Sequence, residues 1–400
     1  MNETVLLLDG RAISTLAAAR QLDKSGATVH VAESFEWNLT AFSGATAASH
    51  SYPSAEDQPA AFERRLLALV EEIEPKVVIP ARDATTHHVA ALADQLPEGT
   101  ETLLDSPETI DQLRDKRRCA NLAADLDVPI PATYDPERRD IEVIREEAEF
   151  PVVIKPTDAS GARGIRRVDQ PEQLRETYSL ATQDGTDVLV QEYVDHSGGH
   201  FSIGTVFDRD GTVRALHVYE ELRQYPDSGG PAIRARSIEP EPWVFELLEL
   251  LEAIEWTGPA HMDVLFDPVD ETYKLLEVNP RLWSSLALTV GAGVDVPGTI
   301  VSAANRQDPG PPGEYDTRLD YRWVVPNELL WALDGWETPA RLGELVAGDE
   351  RPTVYSILSR TDPGALLGTG LQSIRFLLDG EKRAQVLQRN QHQPNTQPTE

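Results

Sequence analysis

The 400-residue chain carries 67 acidic and 36 basic residues, which gives a formal net charge of −31. So large a negative charge excludes nucleic acid as a partner, because phosphate backbones are bound by basic surfaces. The hydrophobic content of 40% supports packed cores, and the length predicts roughly two or three domains. Only six of the basic residues are lysine. An acidic, lysine-poor composition resembles that of proteins from salt-accumulating archaea, where high salt screens the self-repulsion.

The single cysteine, Cys119, excludes an intramolecular disulfide and fits a reducing cytosol. The first apolar stretch, residues 5–8, is too short for the core of a signal peptide. No apolar run reaches the length of a membrane span. We therefore expect a soluble, cytoplasmic protein without a membrane partner.

Residues 1–112 are predicted to form a small doubly wound α/β domain, because apolar strand runs alternate with helical patterns. The predicted strands are 4–9, 28–32 and 77–80, and the predicted helices are 12–25 and 60–73. Only Gly10 stands at the first turn, where a nicotinamide-binding fingerprint has three glycines, so such a cofactor is not expected. Arg82 and Asp83 follow the third strand, at the edge where open α/β sheets bind ligands.

A second segment, residues 113–190, is predicted to bind an anion. A helix begins near Lys116, and a buried strand ends in Lys155. A lysine there is costly unless it meets an anion, and Gly161 and Gly164 in the following loop let backbone N–H groups approach phosphate oxygens. The spacing is not that of a P-loop. A solvated strand end beside a flexible loop is the alternative interpretation.

The third segment, residues 191–305, begins at the end of a strand predicted for 188–194. That strand edge then bends away, so its backbone N–H and C=O groups are placed to read an adenine edge. Further along, Arg223, Arg234 and Arg236 flank a Pro/Gly-rich loop. This loop is interpreted either as a basic substrate loop or as a surface excursion.

A β-hairpin in this segment turns at residues 267–271. If the loop is centred on Asp270, Asp263 lies opposite Glu277, and Asn279 shares their face because side chains alternate along a strand. Two carboxylates and an amide resemble a hard-cation site, whereas an ordinary hairpin with one polar face is the alternative. The opposite, apolar face is predicted to carry Met262, Val264, Phe266, Leu276 and Val278.

The C-terminal part has weaker patterns. Residues 306–385 are predicted to form an extension, helical over 326–345 and with a strand near 373–378 that pairs with an earlier strand. Residues 386–400 are a polar tail predicted to be disordered.

Four motifs occur in an order and at distances that resemble the ATP-grasp superfamily over roughly residues 1–305. They are Asp115-Lys116, Pro151–Lys155 with its glycine loop, Gln191–Val194, and Asp263 with Glu277-Val278-Asn279-Pro280-Arg281. Within the superfamily the chain is most similar to stand-alone carboxylate–amine ligase-like proteins, also described as carbamoyl-phosphate-synthase-like. The resemblance implies an N-terminal Rossmann-like pre-ATP-grasp domain followed by a two-lobed ATP-grasp domain with antiparallel sheets. Its small lobe is assigned to 113–190 and its large lobe to 191–305.

The resemblance also implies roles for individual residues. The residues implied to bind ATP are Lys116, Lys155, Gly161, Gly164, Gln191, Glu192, Tyr193 and Val194. The implied ligands of Mg²⁺, or of Mn²⁺, are Asp263, Glu277 and Asn279. Arg281 is implied to face the transferred phosphoryl group or the substrate carboxylate, and Lys155 is grouped with it as catalytic. Many members of the family hold the ribose with a Glu after the hinge, whereas this chain offers Asp195 or His200.

The implied activity is an ATP-dependent ligase that joins a small-molecule carboxylate to an amine, or to a thiol, through an acyl phosphate. An ATP-grasp carboxylase or phosphotransferase with bicarbonate or a hydroxyl acceptor is the first alternative. A module that binds ATP without turnover is the second. A homodimer is left open as the oligomeric state.

Overall fold

The computed structural model describes residues 3–158, 164–227, 229–334, 338–347 and 349–378. Its strands belong to three sheets, one parallel and two largely antiparallel. The predicted tail at 386–400 and the last residues of the extension lie outside the described part. Within that part, no helix combines the length and the apolarity needed to cross a bilayer.

The first sheet has four parallel strands in the order β3-β2-β1-β4. The strands are β1 (Thr4–Leu7), β2 (Thr28–Glu33), β3 (Ala48–Ser51) and β4 (Val77–Ile79). The helices of this unit are α1 (Ile13–Lys24), α2 (Pro59–Ile73), α3 (Asp83–Ala91) and α4 (Pro107–Arg114), with a short 3₁₀ turn at Ala93–Gln95. Apolar side chains on the two faces of β1 enter different cores, Val5 and Leu7 on one side and Leu6 on the other. The sheet is therefore covered on both faces, as parallel sheets are.

The second sheet is antiparallel and has the order β5-β8-β6-β7. Its strands are β5 (Thr133–Tyr134), β6 (Val152–Pro156), β7 (Arg166–Val168) and β8 (Val188–Glu192). Helix α5 (Lys116–Asp125) precedes it, and α6 (Ile141–Glu147) and α7 (Pro171–Thr182) pack on it. Val152 and Ile154 point into this core. Lys155, the next residue along β6, therefore points to the other face.

The third sheet has the strand order β13-β12-β9-β10-β11-β14-β15 and is antiparallel except for its last pair. Its strands are β9 (His200–Phe207), β10 (Val213–Gln224), β11 (Ala232–Ile238), β12 (Gly258–Asp267), β13 (Thr272–Asn279), β14 (Asp320–Arg322) and β15 (Thr353–Tyr355). Its helices are α8 (Pro242–Ala253), α9 (Leu286–Gly291) and α10 (Val296–Ala304), and a 3₁₀ turn at His196–Gly198 leads into β9. Helix α8 packs its leucines on one face of the sheet, against Met262 and Val264.

The C-terminal extension continues this sheet, because it supplies β14 and β15. Its helical elements are a π-helical turn at Val324–Glu328, α11 (Leu329–Leu333), α12 (Thr338–Val346) and α13 (Gly364–Leu378). The strand predicted for 373–378 is wrong, since these residues continue α13. Apolar residues that recur at helical spacing were mistaken for a strand. Helix α13 returns to the parallel sheet, where Ala365 packs against Leu16 and Leu39.

The three arginines that flank the Pro/Gly-rich loop are held by acidic residues of the extension. Arg223 pairs with Glu344 at 2.8 Å, and Arg236 pairs with Asp320 at 2.9 Å. Arg234 pairs with the fully buried Glu328. Because each guanidinium has its own carboxylate, these ion pairs attach the extension to the sheet. The three arginines therefore do not form a free basic substrate loop.

Candidate functional site

The β12–β13 hairpin places two carboxylates side by side. Asp263 is the cross-strand partner of Glu277, and His261 is the partner of Asn279, as the predicted register requires. A β-bulge follows immediately, so that Val264 pairs with Leu275 instead of Leu276. The prediction of Leu276 on the apolar face is therefore wrong: Leu275 belongs to the core, whereas Leu276 is only half-buried and lies outside it. An extra residue in one strand reverses the faces beyond it.

The side-chain amide of Asn279 joins these carboxylates. Its Nδ2 donates to Asp263 Oδ2 and to Glu277 Oε1, both at 3.1 Å. Its Oδ1 accepts from Arg281 Nη2 at 3.0 Å. The neighbours dictate this orientation, because carboxylates only accept hydrogen bonds and a guanidinium only donates them. The oxygen that a cation would use therefore faces Arg281.

The electrostatics of the two carboxylates differ. Burial opposes the ionisation of Glu277, but the nearby Lys116 ammonium outweighs it and holds its pKa at about 2. Lys116 Nζ lies 3.0 Å from Glu277 Oε2. Burial and the charge of Glu277 raise the pKa of Asp263. A cation between the two carboxylates would remove their repulsion and favour the charged form of both.

Two lysines approach this pair from different elements. Lys116 is the first residue of α5, whose N-terminus is capped by the side chain of Asp115. Lys155, at the end of β6, is only 5% exposed. Burial, followed by the nearby Lys116 charge, lowers the pKa of Lys155 to about 8. Two ammonium groups lie together in this buried place. Phosphate oxygens bound beside them would stabilise both charges.

The glycine loop after β6 is described only in part. Gly161 lies outside the described residues. Gly164 has a φ of +76°, and a Cβ on it would stand 2.8 Å from Pro156. Both the backbone conformation and the lack of space require glycine here.

The end of β8 provides the predicted adenine-binding residues. Gln191 is buried, its amide donates to Thr133 Oγ1 at 2.7 Å, and it lines the same cleft as Lys116. The carboxylate of Glu192 turns away to Lys274, whose Nζ lies 3.1 Å from both of its oxygens. Only the backbone of Glu192 is therefore left to line a nucleotide pocket.

The hinge continues through Tyr193 and Val194. The Arg167 guanidinium lies 3.9 Å above the Tyr193 ring, and Val194 is buried. Cys119 lines the cleft below the hinge and behaves as a small buried residue, since burial raises the pKa of its thiol to about 12.

His200 lies on the side of the cleft that carries the predicted metal ligands, close to Asp263. Its Nε2 is 3.8 Å from Asp263 Oδ1. Burial opposes its charge, but Glu221 and Asp263 outweigh that effect and raise its pKa to about 9. Ligand atoms of His200, Glu221 and Asp263 lie within 4.8 Å of one another. Sequence reasoning missed Glu221, which lies near the polar end of the long strand β10 as the cross-strand partner of His200.

Arg281 connects the hairpin to the parallel sheet. Its Nε lies 2.8 Å from Oδ1 of Asp83, the first residue of α3. Its Nη1 donates to the carbonyl of Leu282 at 3.0 Å, and its Nη2 donates to Asn279. All three nitrogens therefore have partners within the chain. The sequence placed Asp83 at a ligand-binding edge but gave no indication of this contact.

The residues present fit a divalent cation in part. Asp263 and Glu277 supply partly buried oxygen ligands on one face, which suits Mg²⁺. Asn279 fits as a third ligand only if its amide turns by half a revolution, which would end the present bond from Arg281 to its oxygen. Glu221 is a further carboxylate within reach of the same place.

Comparisons with known proteins agree with this geometry. Residues 115–305 match the sequence model described as the carbamoyl-phosphate synthase L chain, ATP binding domain. The match covers 191 of the 400 residues, a little under half of the chain. The matched segment contains all four motifs that carry the resemblance, so the match agrees with it at the level of this ATP-binding domain.

The proteins to which this chain is similar in sequence or in structure include carboxylases and a ligase. The pyruvate carboxylase of Aspergillus niger is 25% identical over 211 residues, covering 48% of this chain and 17% of that protein. The biotin carboxylase domain dimer of Hydrogenobacter thermophilus 2-oxoglutarate carboxylase, solved with MgADP, ADP and bicarbonate, has a TM-score of 0.60 at 17% identity. That similarity covers 76% of this chain and 69% of the other. The L-amino acid ligase of Bacillus licheniformis has a TM-score of 0.55 at 16% identity, covering 76% and 74%.

At these identities the solved structures show the fold alone. The match also spans about a sixth of the pyruvate carboxylase, 17% of its length. The comparisons therefore confirm a mixed α/β fold that resembles those of solved ATP-grasp structures. The subgroup, the salt-loving source and the cytoplasmic location stay predictions.

Proposed function

We propose that the chain is an ATP- and Mg²⁺-dependent ligase that joins a carboxylate to an amine and releases ADP and phosphate. The observation that supports it best is the continuous cluster from Lys116 through Glu277 and Asn279 to Asp263, with Lys155 buried beside it. Such a cluster pairs phosphate-binding ammonium groups with cation-binding carboxylates, which is what phosphoryl transfer needs.

In this proposal each predicted residue has a defined task. Lys116 and Lys155 hold phosphate oxygens, and the loop with Gly161 and Gly164 covers them. Gln191, Tyr193, Val194 and the backbone of Glu192 line the base. Asp263 and Glu277 hold the cation, Asn279 joins them after its amide turns, and His200 stands beside the metal ligands with a role toward the ribose left as a prediction.

The proposed reaction has two steps. An oxygen of the substrate carboxylate attacks the γ-phosphorus of ATP, the bond to the β-phosphate oxygen breaks, and ADP leaves. The amine nitrogen then attacks the carbonyl carbon of the acyl phosphate, phosphate leaves, and the nitrogen loses a proton. The chain contributes mainly by positioning and charge neutralisation, and Arg281 is proposed to face the transferred phosphoryl group or the substrate carboxylate.

The domain assignments belong to the same proposal. Residues 1–112 are a Rossmann-like pre-ATP-grasp domain, 113–190 the small lobe and 191–305 the large lobe, and 306–385 an extension that completes the large sheet. Mn²⁺ in place of Mg²⁺, a homodimer and activity in high salt are further predictions that the same preparation would test.

A carboxylase with bicarbonate as acceptor is the second candidate. The observation that favours it is the similarity to the biotin carboxylase domain of 2-oxoglutarate carboxylase and to pyruvate carboxylase. Both candidates use the same cation and phosphate residues, so the acceptor decides between them.

The test is ADP release in concentrated KCl with the standard amino acids, alone and in pairs, with acetate and with bicarbonate. Hydroxylamine is added to trap an acyl phosphate as a hydroxamate, and Glu277→Gln is the inactive control. A hydroxamate or an amide together with ADP supports the ligase. Bicarbonate-dependent release supports the carboxylase, AMP with pyrophosphate contradicts both, and nucleotide binding without any turnover favours the non-catalytic module.

A further inference from the structure

Asp83 is an acidic residue of the parallel-sheet unit that reaches into the ATP-grasp domain. It follows β4 and begins α3, at the carboxyl edge of the sheet. Its Oδ1 accepts from Arg281 Nε at 2.8 Å, and about a fifth of each side chain is exposed, 22% for Asp83 and 21% for Arg281. The contact is therefore well shielded and joins two units of the fold.

Arg281 lies between Asp83 and the metal ligands, and when the amide of Asn279 turns toward a cation, the contacts with Asp83 and Leu282 still hold its guanidinium in place. A guanidinium is planar and its donors have a fixed geometry. With Nε on Asp83 and Nη1 on the carbonyl of Leu282, the remaining Nη2 can point only at Asn279 Oδ1, 3.0 Å away. The amide of Asn279 in turn bridges the two carboxylates of the site.

The electrostatic contributions at Arg281 support the same role for Asp83. Burial opposes the charge of Arg281, and Asp83 is the carboxylate that contributes most to overcoming this effect, ahead of Glu277 and Asp263. Without Asp83, the guanidinium would turn toward those two carboxylates, because an unpaired buried cation is unfavourable and the nearest anions would stabilise it. It would then compete there with any bound cation.

We propose that Asp83 is a positioning residue for the nucleotide site, which holds Arg281 away from the cation-binding carboxylates and thereby sets the affinity for the magnesium–nucleotide complex. This inference rests on the proposed function, because it assumes that the site binds Mg²⁺ and a nucleotide. Coupling of this kind is reciprocal. A ligand that engages Asp83 at the sheet edge changes nucleotide affinity, and a bound nucleotide changes the affinity for that ligand by the same factor.

The test measures ADP binding as a function of Mg²⁺ concentration, with a fluorescent ADP derivative, in the full chain. The variants are Asp83→Asn, which keeps the shape but loses the charge, and Asp83→Glu, which restores the charge. Glu101→Gln is the matched control. Glu101 forms another contact between the units, 3.0 Å from Arg209, but lies at the amino end of β4, the opposite edge of the sheet.

We expect Asp83→Asn to raise the Mg²⁺ concentration needed for half-maximal ADP binding about tenfold, the lower end of the effect of outer residues on metal sites. Asp83→Glu should recover most of this loss, and Glu101→Gln should bind as the wild type does. In an Arg281→Lys background, Asp83→Asn should add less than about twofold, because the effect passes through the guanidinium.

Two results would overturn the inference while leaving the proposed function intact: unchanged ADP binding in Asp83→Asn, or an equal loss in Glu101→Gln. An additive loss in the Arg281→Lys background would also contradict it, because Asp83 would then act by another route. A wild type that binds no ADP at any Mg²⁺ concentration would instead contradict the proposed function itself. Thermal unfolding of each variant shows whether a loss of binding comes from a loss of folding.

Discussion

Lys155 offers the sharpest test of the phosphate site, because its ordinary pKa of 10.5 is lowered to about 8 by burial and by Lys116. This difference corresponds to about 3 kcal/mol that the ammonium form loses in the folded chain. A phosphate oxygen in contact with Lys155 would restore that stabilisation and return the pKa to its ordinary range or above. Nucleotide binding should therefore be linked to proton uptake by this residue.

The sign and size of the effect follow from the two pKa values. At pH 9 the free Lys155 is about one-tenth protonated, so binding of MgADP should take up about 0.9 proton. At pH 7 the residue is already about nine-tenths protonated, and the uptake should fall to about 0.1 proton. The affinity for MgADP should be highest below pH 8. It should fall as the pH rises above 8, because Lys155 then loses the ammonium form that binds phosphate.

The measurement is isothermal titration calorimetry of MgADP in two buffers of different ionisation enthalpy at each pH. Lys155→Arg is the control, since a guanidinium stays charged over this range and takes up no proton. The difference between the wild type and this variant isolates Lys155 from other titrating groups near the site. Equal proton uptake in the two proteins at pH 9 would refute the assignment of Lys155 to the phosphates.

Three further predictions concern the cluster and its support. Glu277→Gln should weaken Mg²⁺-dependent ADP binding at least tenfold, since it removes a negative charge that would face the cation; an unchanged Mg²⁺ titration would exclude Glu277 as a ligand. Lys274→Met should destabilise the chain by about 3 kcal/mol in urea unfolding, because it leaves the buried carboxylate of Asp267 and the partly exposed one of Glu192 without their cation; a loss below about 1 kcal/mol would contradict this. Gly204→Ala should lower the melting temperature, because its Cβ would stand 2.2 Å from the Trp283 ring, and a melting temperature equal to that of the wild type would show that the ring can move.

The sequence predicted the site better than its surroundings. Strand alternation and the turn at 267–271 were enough to place Asp263 opposite Glu277, because both are local rules. The same rules failed one residue later at Leu276, since a β-bulge depends on how the strand bends over the sheet. The burial of Lys155 agrees with its place at the end of an apolar strand, whereas its role toward a phosphate stays a prediction.

Contacts between distant segments could not be predicted in this way. Nothing local to Arg234 indicates that the buried Glu328, 94 positions away, neutralises it. The short strand β3 was missed because Ala48–Ser51 is mostly polar and half exposed, which hides the apolar alternation. Glu192 was expected in the nucleotide pocket, but the chain offered no sign that Lys274 would bind its carboxylate.

The orientation of Asn279 shows why residue type alone does not define a metal ligand. Its position beside Asp263 and Glu277 suits a cation, yet hydrogen bonding turns its nitrogen to the carboxylates and its oxygen to Arg281. A cation that takes the oxygen must therefore also break the contact with Arg281, and the freed guanidinium donor becomes available to an anion. Cation binding and anion recognition at this hairpin are thus linked through one amide, and Asp83 decides where the guanidinium rests.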